Sequence, residues 1–187
     1  MPVSSFMVPL GTPAPELALP SVGGDGDVRL ADFHGAPALL VAFLSNHCPF
    51  VRHLEKELGE VAGEFPECAV VGVCGNDPGV SPDDGVEGLR AQLARTGWSF
   101  PYLVDADQSV TRAYRAACTP DFFLYDADRR LAYRGSFDDS TPGNGRPVTG
   151  ERLRTALRQV LAGEPVPEPH HPSMGCSIKW SPENEPA

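Results

Sequence analysis

A continuous apolar run, ALLVAFL at residues 38–44, constrains the fold of this chain more than any other segment. An apolar run without alternating polar residues is typical of a strand that is buried on both faces of a sheet. The run leads into residues 49–65, where apolar side chains recur at helical spacing. A buried strand followed by an amphipathic helix predicts the first unit of a parallel sheet that is covered by helices.

The chain up to residue 162 continues this alternation of strands and helices. The other predicted elements are strands at 69–74 and 100–105, helices at 84–96 and 108–116, an antiparallel hairpin of 121–126 and 131–136, and a last helix capped by Thr149. Because the closing hairpin adds antiparallel strands to a parallel sheet, the central sheet should be mixed. Right-handed crossovers place helices on both of its faces. We therefore expect an α/β fold, a three-layer α/β/α sandwich around a central mixed sheet.

The predicted organisation is one domain followed by a C-terminal tail. The length suits a single domain, which we place at residues 1–162. Residues 163–187 are rich in proline, so the tail should be irregular. Its segment GCSIKW, at 175–180, is unusually apolar for a disordered tail, and we expect it to dock on the domain.

The composition argues against two classes of partner. The 187 residues carry a net charge of −10, from 25 acidic and 15 basic residues, which disfavours binding to nucleic acid or to an anionic membrane. No apolar stretch reaches the length of a membrane span. The N-terminal sequence lacks the charged and apolar regions of a signal peptide, so the expected location is cytoplasmic.

The chain has five cysteines, at positions 48, 68, 74, 118 and 176. An odd number of cysteines in a chain of this size argues against a disulfide-stabilised scaffold. Each cysteine is therefore a core residue, a metal ligand or a redox group. No pair of cysteines or histidines has the C-x-x-C or H-x-x-x-H spacing of a zinc site, so we predict no metal ion and no other cofactor.

Cys48 has the sequence setting of a reactive thiol. It lies where the first buried strand meets its helix, at the carboxyl edge of the sheet, where the active sites of α/β folds collect. Pro49 suits the first helical position because the N–H that it lacks has no partner there. The free N–H groups and the dipole of a helix N-terminus favour a thiolate over a thiol. The alternative is that Cys48 only caps the helix, although cysteine is a poor cap compared with Ser, Thr, Asp or Asn.

Two segments carry a family resemblance. The stretch LGTPAPELALPSVGGDGDVRLADFHGAPALLVAFLSNHCP leads into Cys48, and CTPDFFLYDADRRLAYRG covers the predicted hairpin. Both resemble the AhpC/TSA redoxins, peroxiredoxin-like members of the thioredoxin superfamily, and the resemblance extends over residues 9–162. It implies a thioredoxin-like fold in which Thr119 precedes a cis-proline, Pro120, that lies beside the active cysteine.

The chain departs from the family pattern around the active cysteine. Cys48 aligns with the first cysteine of the thioredoxin C-x-x-C motif, and Val51 stands in place of the second. Typical peroxiredoxins carry their peroxide-reducing cysteine at that second position, within a P-x-x-x-T-x-x-C motif. Ser45 occupies the threonine position relative to Cys48, but Val41 occupies the proline position. The resemblance therefore implies thiol redox chemistry more strongly than peroxidase activity.

A lone attacking cysteine needs a second thiol to resolve its mixed disulfide or sulfenic acid. In the fold that the resemblance implies, Cys118 lies two residues before Pro120, in the loop that packs against the active cysteine. Cys118 is therefore the favoured partner of Cys48. Cys176, in the tail, ranks second as a partner, and Cys74, at the carboxyl end of a parallel strand, ranks third.

Three functions remain open from the sequence. The first is a thiol-disulfide oxidoreductase that acts on protein disulfides or small thiols, with Cys48 and Cys118 as its catalytic residues. The second is a peroxiredoxin-like antioxidant that reduces peroxides with the same cysteines. The third is a redox sensor or metal-binding module without turnover.

Four further residues are expected to shape the site: His47, Pro49, Thr119 and Pro120. The imidazole of His47 adjoins Cys48 in the chain and could stabilise a thiolate. The acidic residues of SPDDG, at 81–85, are expected only to form turns and helix caps.

Overall fold

A computed structural model describes residues 2–24 and 26–185 of the chain. The strands are β1 Pro2–Ser4, β2 Ala18–Pro20, β3 Asp27–Arg29, β4 Ala38–Phe43, β5 Cys68–Cys74, β6 Tyr102–Val104, β7 Cys118–Thr119, β8 Asp121–Tyr125, β9 Leu131–Arg134 and β10 Met174–Ser177. The α-helices are α1 Pro49–Glu64, α2 Val86–Thr96, α3 Ser109–Ala113 and α4 Glu151–Leu161, and short 3-10 turns lie at Leu30–Phe33 and Pro82–Asp84.

The main sheet has five strands in the order β6-β5-β4-β8-β9. β4 is central, parallel to β5 on one side and antiparallel to β8 on the other. β8 and β9 form the predicted antiparallel hairpin. The expected mixed sheet with β4 at its centre is therefore confirmed.

Side chains of β4 alternate between two apolar clusters, because successive residues of a strand point to opposite faces. Leu40 and Ala42 join a cluster that contains the buried faces of α1 and α4, whereas Leu39 and Val41 join a cluster with Val110 of α3. All four of these β4 side chains are fully buried. The three-layer α/β/α arrangement is confirmed. Within residues 2–24 and 26–185, no helix is long and apolar enough to cross a membrane.

A second, smaller sheet has three strands in the order β1-β10-β7. β10 pairs antiparallel with β1 on one edge and with β7 on the other, so that Cys176 lies opposite both Pro2 and Thr119. The tail was expected to be irregular, and Met174–Ser177 instead form this strand, because both edges of the segment find backbone partners. Ile178, which follows β10, has a buried side chain.

The start of the last helix differs from the prediction. Gly150, with φ of +60°, is the N-cap residue of α4 in place of Thr149. The carboxylate of Asp138 accepts hydrogen bonds from the backbone N–H groups of Thr149 (2.7 Å) and Gly150 (2.8 Å). This carboxylate anchors the helix start, and Thr149 Oγ1, one residue before the N-cap, also accepts a hydrogen bond from the backbone N–H of Glu151 at 3.3 Å.

Candidate active site

Cys48 lies at the start of α1, which begins at Pro49 as predicted. Its backbone is extended, with φ of −70° and ψ of 121°, and its thiol makes no capping hydrogen bond to the helix. The thiol instead donates a hydrogen bond to the carbonyl oxygen of Thr119, with Sγ and O separated by 3.0 Å. The side chain of Cys48 has 0% exposure. Cys48 therefore occupies a cap position, but its sulfur is directed to a partner in a different part of the chain.

That partner belongs to a cis peptide bond between Thr119 and Pro120, as the sequence predicted. Thr119 ends β7, and Pro120 separates it from β8 of the main sheet. The carbonyl of Thr119 consequently lies over the N-terminus of α1. The predicted proximity of the cysteine and the cis-proline is confirmed.

A buried carboxylate, that of Asp84, fixes the loop before Cys48. It accepts hydrogen bonds from Ser45 Oγ (3.0 Å), the backbone N–H groups of Asn46 (2.7 Å) and His47 (3.2 Å), Asn76 Nδ2 (2.8 Å) and Ser81 Oγ (2.7 Å). Ser45 Oγ in turn accepts a hydrogen bond from the backbone N–H of Cys48 at 3.1 Å. The position of the Cys48 backbone is thus coupled to a carboxylate from a later loop.

The same cluster of polar groups reaches the tail. Asn76 donates to Asp84 through Nδ2 and accepts a hydrogen bond from the backbone N–H of Lys179 through Oδ1, at 2.9 Å. Asp84 and Asn76 therefore connect the loop that precedes Cys48 with the residues that follow β10. The sequence interpretation missed Asp84, whose segment SPDDG was expected only to form turns and caps. Its position after the second parallel strand, near the carboxyl edge of the sheet, was the available signal.

Cys176 lies in β10 directly opposite Thr119, whose carbonyl binds the Cys48 thiol. Its side chain is partly buried and packs against the apolar cluster that contains Cys48. Burial is the main cause that raises the pKa of the Cys176 thiol to about 12, and the neighbouring Cys48 thiol is the second cause. Of the candidate partner thiols, Cys176 belongs to β10, the strand that packs against α1, at whose N-terminus Cys48 lies.

Cys118, the partner that the sequence favoured, is fully buried in β7. It precedes Thr119, and because successive strand residues face opposite ways, its side chain projects away from the face that Cys176 shares with Thr119. Its thiol donates to the carbonyl of Pro120 at 3.5 Å, and no hydrogen bond within the described ranges joins it to Cys48. Burial, followed by nearby Asp121 and Cys48, raises the pKa of this thiol well above its ordinary value.

Neither of the two remaining predicted site residues, Cys74 and His47, bonds to the Cys48 thiol in the described part of the chain. Cys74 ends β5 in the core, where burial raises the pKa of its thiol far above the ordinary value. The side chain of His47 is exposed, and only its backbone N–H binds Asp84. Among the described residues, no hydrogen bond links the His47 ring to Cys48. No group of three or more His, Cys, Asp or Glu side chains in residues 2–24 and 26–185 is arranged to hold a metal ion.

A cavity of about 340 Å³ opens beside the cis-proline. Phe50, Pro120 and Met174 form part of its wall, and these residues neighbour the helix start, β7 and β10 respectively. Polar residues from the segment after β9, including Asp138 and Ser140, also line it. The site therefore has adjacent space with both apolar and polar lining.

The fold and the site define a class of protein. A mixed five-stranded sheet that delivers a cysteine from its central strand to a helix N-terminus, beside a cis-proline, is a thioredoxin fold. The sequence profile of the AhpC/TSA family matches residues 10–134. The chain belongs to the AhpC/TSA family, and the resemblance inferred from its two sequence segments is confirmed.

Two proteins of known structure are similar to the chain over nearly its whole length. A hypothetical protein from Sinorhizobium meliloti shares 49% identity over 96% of this chain and 98% of its own, with a TM-score of 0.93. An uncharacterized conserved protein from Geobacillus kaustophilus shares 46% identity over 97% of both chains, with a TM-score of 0.94. No curated protein matches the sequence.

More distant structures share the fold. A secreted disulfide oxidoreductase from Mycobacterium tuberculosis is 18% identical over 76% of this chain and 94% of its own, with a TM-score of 0.61. A thiol:disulfide interchange protein from Chlorobium tepidum is 22% identical over 82% of this chain and 98% of its own, with a TM-score of 0.62.

Proposed function

We propose that this protein is a thiol-disulfide oxidoreductase in which Cys48 is the nucleophile. The observation that carries the proposal is the setting of its sulfur: it lies at the N-terminus of α1 and donates a hydrogen bond to the carbonyl oxygen of Thr119, which precedes the cis-proline. Unpaired N–H groups at the start of a helix stabilise negative charge on a neighbouring group. This setting suits a thiol that alternates between thiolate and disulfide.

The first chemical step is an exchange between Cys48 and a substrate disulfide. The Cys48 thiolate attacks one substrate sulfur, an S–S bond forms between protein and substrate, and the other substrate sulfur leaves as a thiolate. The proton that Cys48 gives up ends on that leaving sulfur. Because the Cys48 side chain has 0% exposure, the segments over it must open before a substrate sulfur reaches it.

The substrates that we propose are protein disulfides and small thiols. Three of the five large hydrophobic side chains that are exposed in the described chain, Val3, Phe6 and Met174, belong to β1, β10 or their vicinity, and this apolar surface suits a polypeptide substrate. The net charge of −10 disfavours nucleic acid and anionic membranes as partners. We also propose a cytoplasmic location, because the five free cysteines fit a reducing compartment.

The proposal is tested by the reduction of insulin disulfides with dithiothreitol as the electron donor. The wild-type protein should accelerate the reaction, and Cys48→Ser should reduce the catalysed rate to background while the far-UV spectrum stays unchanged. Cys68→Ser is the matched control, because Cys68 is also buried but lies at the other end of β5, away from the site. Full activity in Cys48→Ser would show that another group is the nucleophile.

The same variants test the two alternative functions. Consumption of hydrogen peroxide that depends on Cys48, without insulin reduction, would assign the site to peroxidase chemistry. Retention of zinc after dialysis, without either activity, would assign it to metal binding. We also propose that residues 163–187 form a tail to a domain of residues 1–162. Limited proteolysis at the junction of these two segments tests this division.

A further inference from the structure

We propose that Cys176, in β10, is the resolving thiol, and that the oxidised protein contains a Cys48–Cys176 disulfide. The inference rests on the proposed function, since it assigns the second step of the same exchange. The sequence ranked Cys118 ahead of Cys176, and the geometry of the small sheet favours the reverse order.

In the small sheet, Cys48 and Cys176 both neighbour Thr119. Cys48 bonds to the carbonyl oxygen of Thr119, and Cys176 is the residue opposite Thr119 in the β7–β10 ladder. Directly opposed residues of an antiparallel pair have their side chains on the same face, with Cβ atoms about 4.5–5.5 Å apart. Cys118 is opposite Ser177 and therefore belongs to the other face. The register thus places the Cys176 and Cys118 side chains on opposite faces of the small sheet, and Cys176 packs against the apolar cluster that contains Cys48.

The residue before Cys176 makes this approach possible. A Cβ atom on Gly175 would lie 2.6 Å from the carbonyl carbon of Thr119, a distance that real side chains do not show. Without a side chain at 175, the backbone of β10 packs directly against the Thr119–Pro120 bond. Glycine is the residue that permits such a close approach of two backbones. Gly175 therefore holds β10, and with it Cys176, against the segment whose carbonyl binds the Cys48 thiol.

The exposure of the three thiols also supports Cys176 as the resolving thiol. Cys48 and Cys118 have 0% exposure, whereas Cys176 is partly exposed. A Cys48–Cys176 disulfide would therefore present one sulfur at the surface, where an external thiol could attack it. A Cys48–Cys118 disulfide would place both sulfurs in the interior.

The resolving step balances without an added reagent. The Cys176 thiolate attacks Sγ of Cys48 in the mixed disulfide, the Cys48–substrate bond breaks, and the second substrate sulfur leaves and takes up the proton that Cys176 has lost. In the whole cycle the substrate disulfide is reduced to two thiols and the two protein thiols are oxidised to one disulfide. In the mixed disulfide Cys48 can no longer carry a charge, and the part of the pKa rise of Cys176 that this charge causes disappears. Lys179, which lowers the same pKa, then favours the attacking thiolate.

Glutathione disulfide is the probe for the test, with the full chain reduced and freed of reductant beforehand. The wild type should release about two glutathione thiols per protein and show a Cys48–Cys176 disulfide in peptide mass mapping. Cys176→Ser should release about one and retain glutathione on Cys48. Cys118→Ser should behave as the wild type.

Each other outcome has a distinct meaning. Glutathione that remains on Cys48 to the same extent in the wild type and in Cys176→Ser would overturn the role of Cys176 and leave the proposed function standing. A Cys48–Cys118 disulfide in the wild type would also overturn it, in favour of the partner that the sequence ranked first. The absence of any modification of Cys48 in every variant would refute the proposed function together with this inference.

Discussion

The two sheets of this protein differ in how they are built and in what they carry. The main sheet, β6-β5-β4-β8-β9, consists of strands that are buried almost throughout. The small sheet, β1-β10-β7, joins strands of two to four residues from the two ends and the middle of the chain. The main sheet supplies the core. The small sheet supplies the carbonyl that binds the Cys48 thiol, and it carries Cys176 opposite the residue of that carbonyl.

The difference shows how a short sheet with little sequence pattern can still have a well-defined position in the fold. The main sheet is stabilised by apolar burial, which tolerates exchanges of side chains of similar volume. The small sheet depends on single contacts: one glycine against a backbone, and one carboxylate that binds donors from several loops. Substitutions at these contacts should therefore change the site before they change the core.

The largest effect is expected at Gly175. In Gly175→Ala the new methyl group collides with the backbone of Thr119, which cannot move as freely as a side chain. We expect the small sheet to lose about 3 kcal/mol, the upper end of the usual penalty for overpacking. β10 should then be cleaved by proteases far faster, and the yield of the Cys48–Cys176 disulfide should fall.

Gly63→Ala is the control for this substitution. Gly63 lies in α1, and a Cβ there meets nothing within 4 Å, so alanine should stabilise the helix by about 0.5–1 kcal/mol. Proteolysis of the tail should stay at the wild-type rate in this control. Equal rates in both variants would show that β10 does not depend on the close approach of residue 175.

The second effect is expected at Asp84. In Asp84→Asn one carboxylate oxygen becomes an amide donor, which then faces donors such as Asn76 Nδ2 and Ser81 Oγ. Leaving a buried donor without an acceptor costs about 1–3 kcal/mol. We expect a loss of about 3 kcal/mol in urea unfolding and a slower reaction of Cys48 with glutathione disulfide.

Asp83→Asn is the matched control for Asp84→Asn, since Asp83 is the exposed neighbour and contributes only its backbone carbonyl to the cluster. It should leave both the unfolding free energy and the reaction of Cys48 unchanged. If Asp84→Asn changed stability but not the rate at Cys48, the carboxylate would be a purely structural group and not a positioning residue.

The sequence predicted the main sheet because each of its strands carries its own signal. The apolar run of β4 and the hairpin of β8 and β9 are local patterns, and the helix after Cys48 starts at a proline. β10 has no such pattern, because its identity as a strand depends on partners about 55 and 170 residues away in the chain. The roles of Asp84 and Gly175 were hidden for the same reason: each is defined by a contact with a distant segment.

The smallest effect is expected at Asp121, where the two sheets meet. It begins β8 directly after Pro120, and its Oδ2 accepts a hydrogen bond from the Ala117 N–H at 3.1 Å, while Oδ1 has no partner among the described residues. Burial raises the pKa of this carboxyl to about 7. In the unfolded chain an aspartate titrates near about 3.9. Between about pH 4 and 7 the folded protein therefore holds a proton that the unfolded chain has lost.

Because of this bound proton, the contribution of Asp121 to the free energy of unfolding falls as pH rises through that window. Above the window the contribution stays constant. Each pH unit changes the free energy of unfolding by at most about 1.36 kcal/mol, so the wild type should lose about 2 kcal/mol relative to Asp121→Asn between pH 5 and 7. Urea unfolding at both pH values measures this difference. The unfolding free energy of Asp128→Asn, a substitution at an exposed turn position, should follow that of the wild type at both pH values. A difference between the wild type and Asp121→Asn that did not vary with pH would mean that Asp121 is already ionised in the folded protein, and that the junction of the two sheets holds a charge at neutral pH.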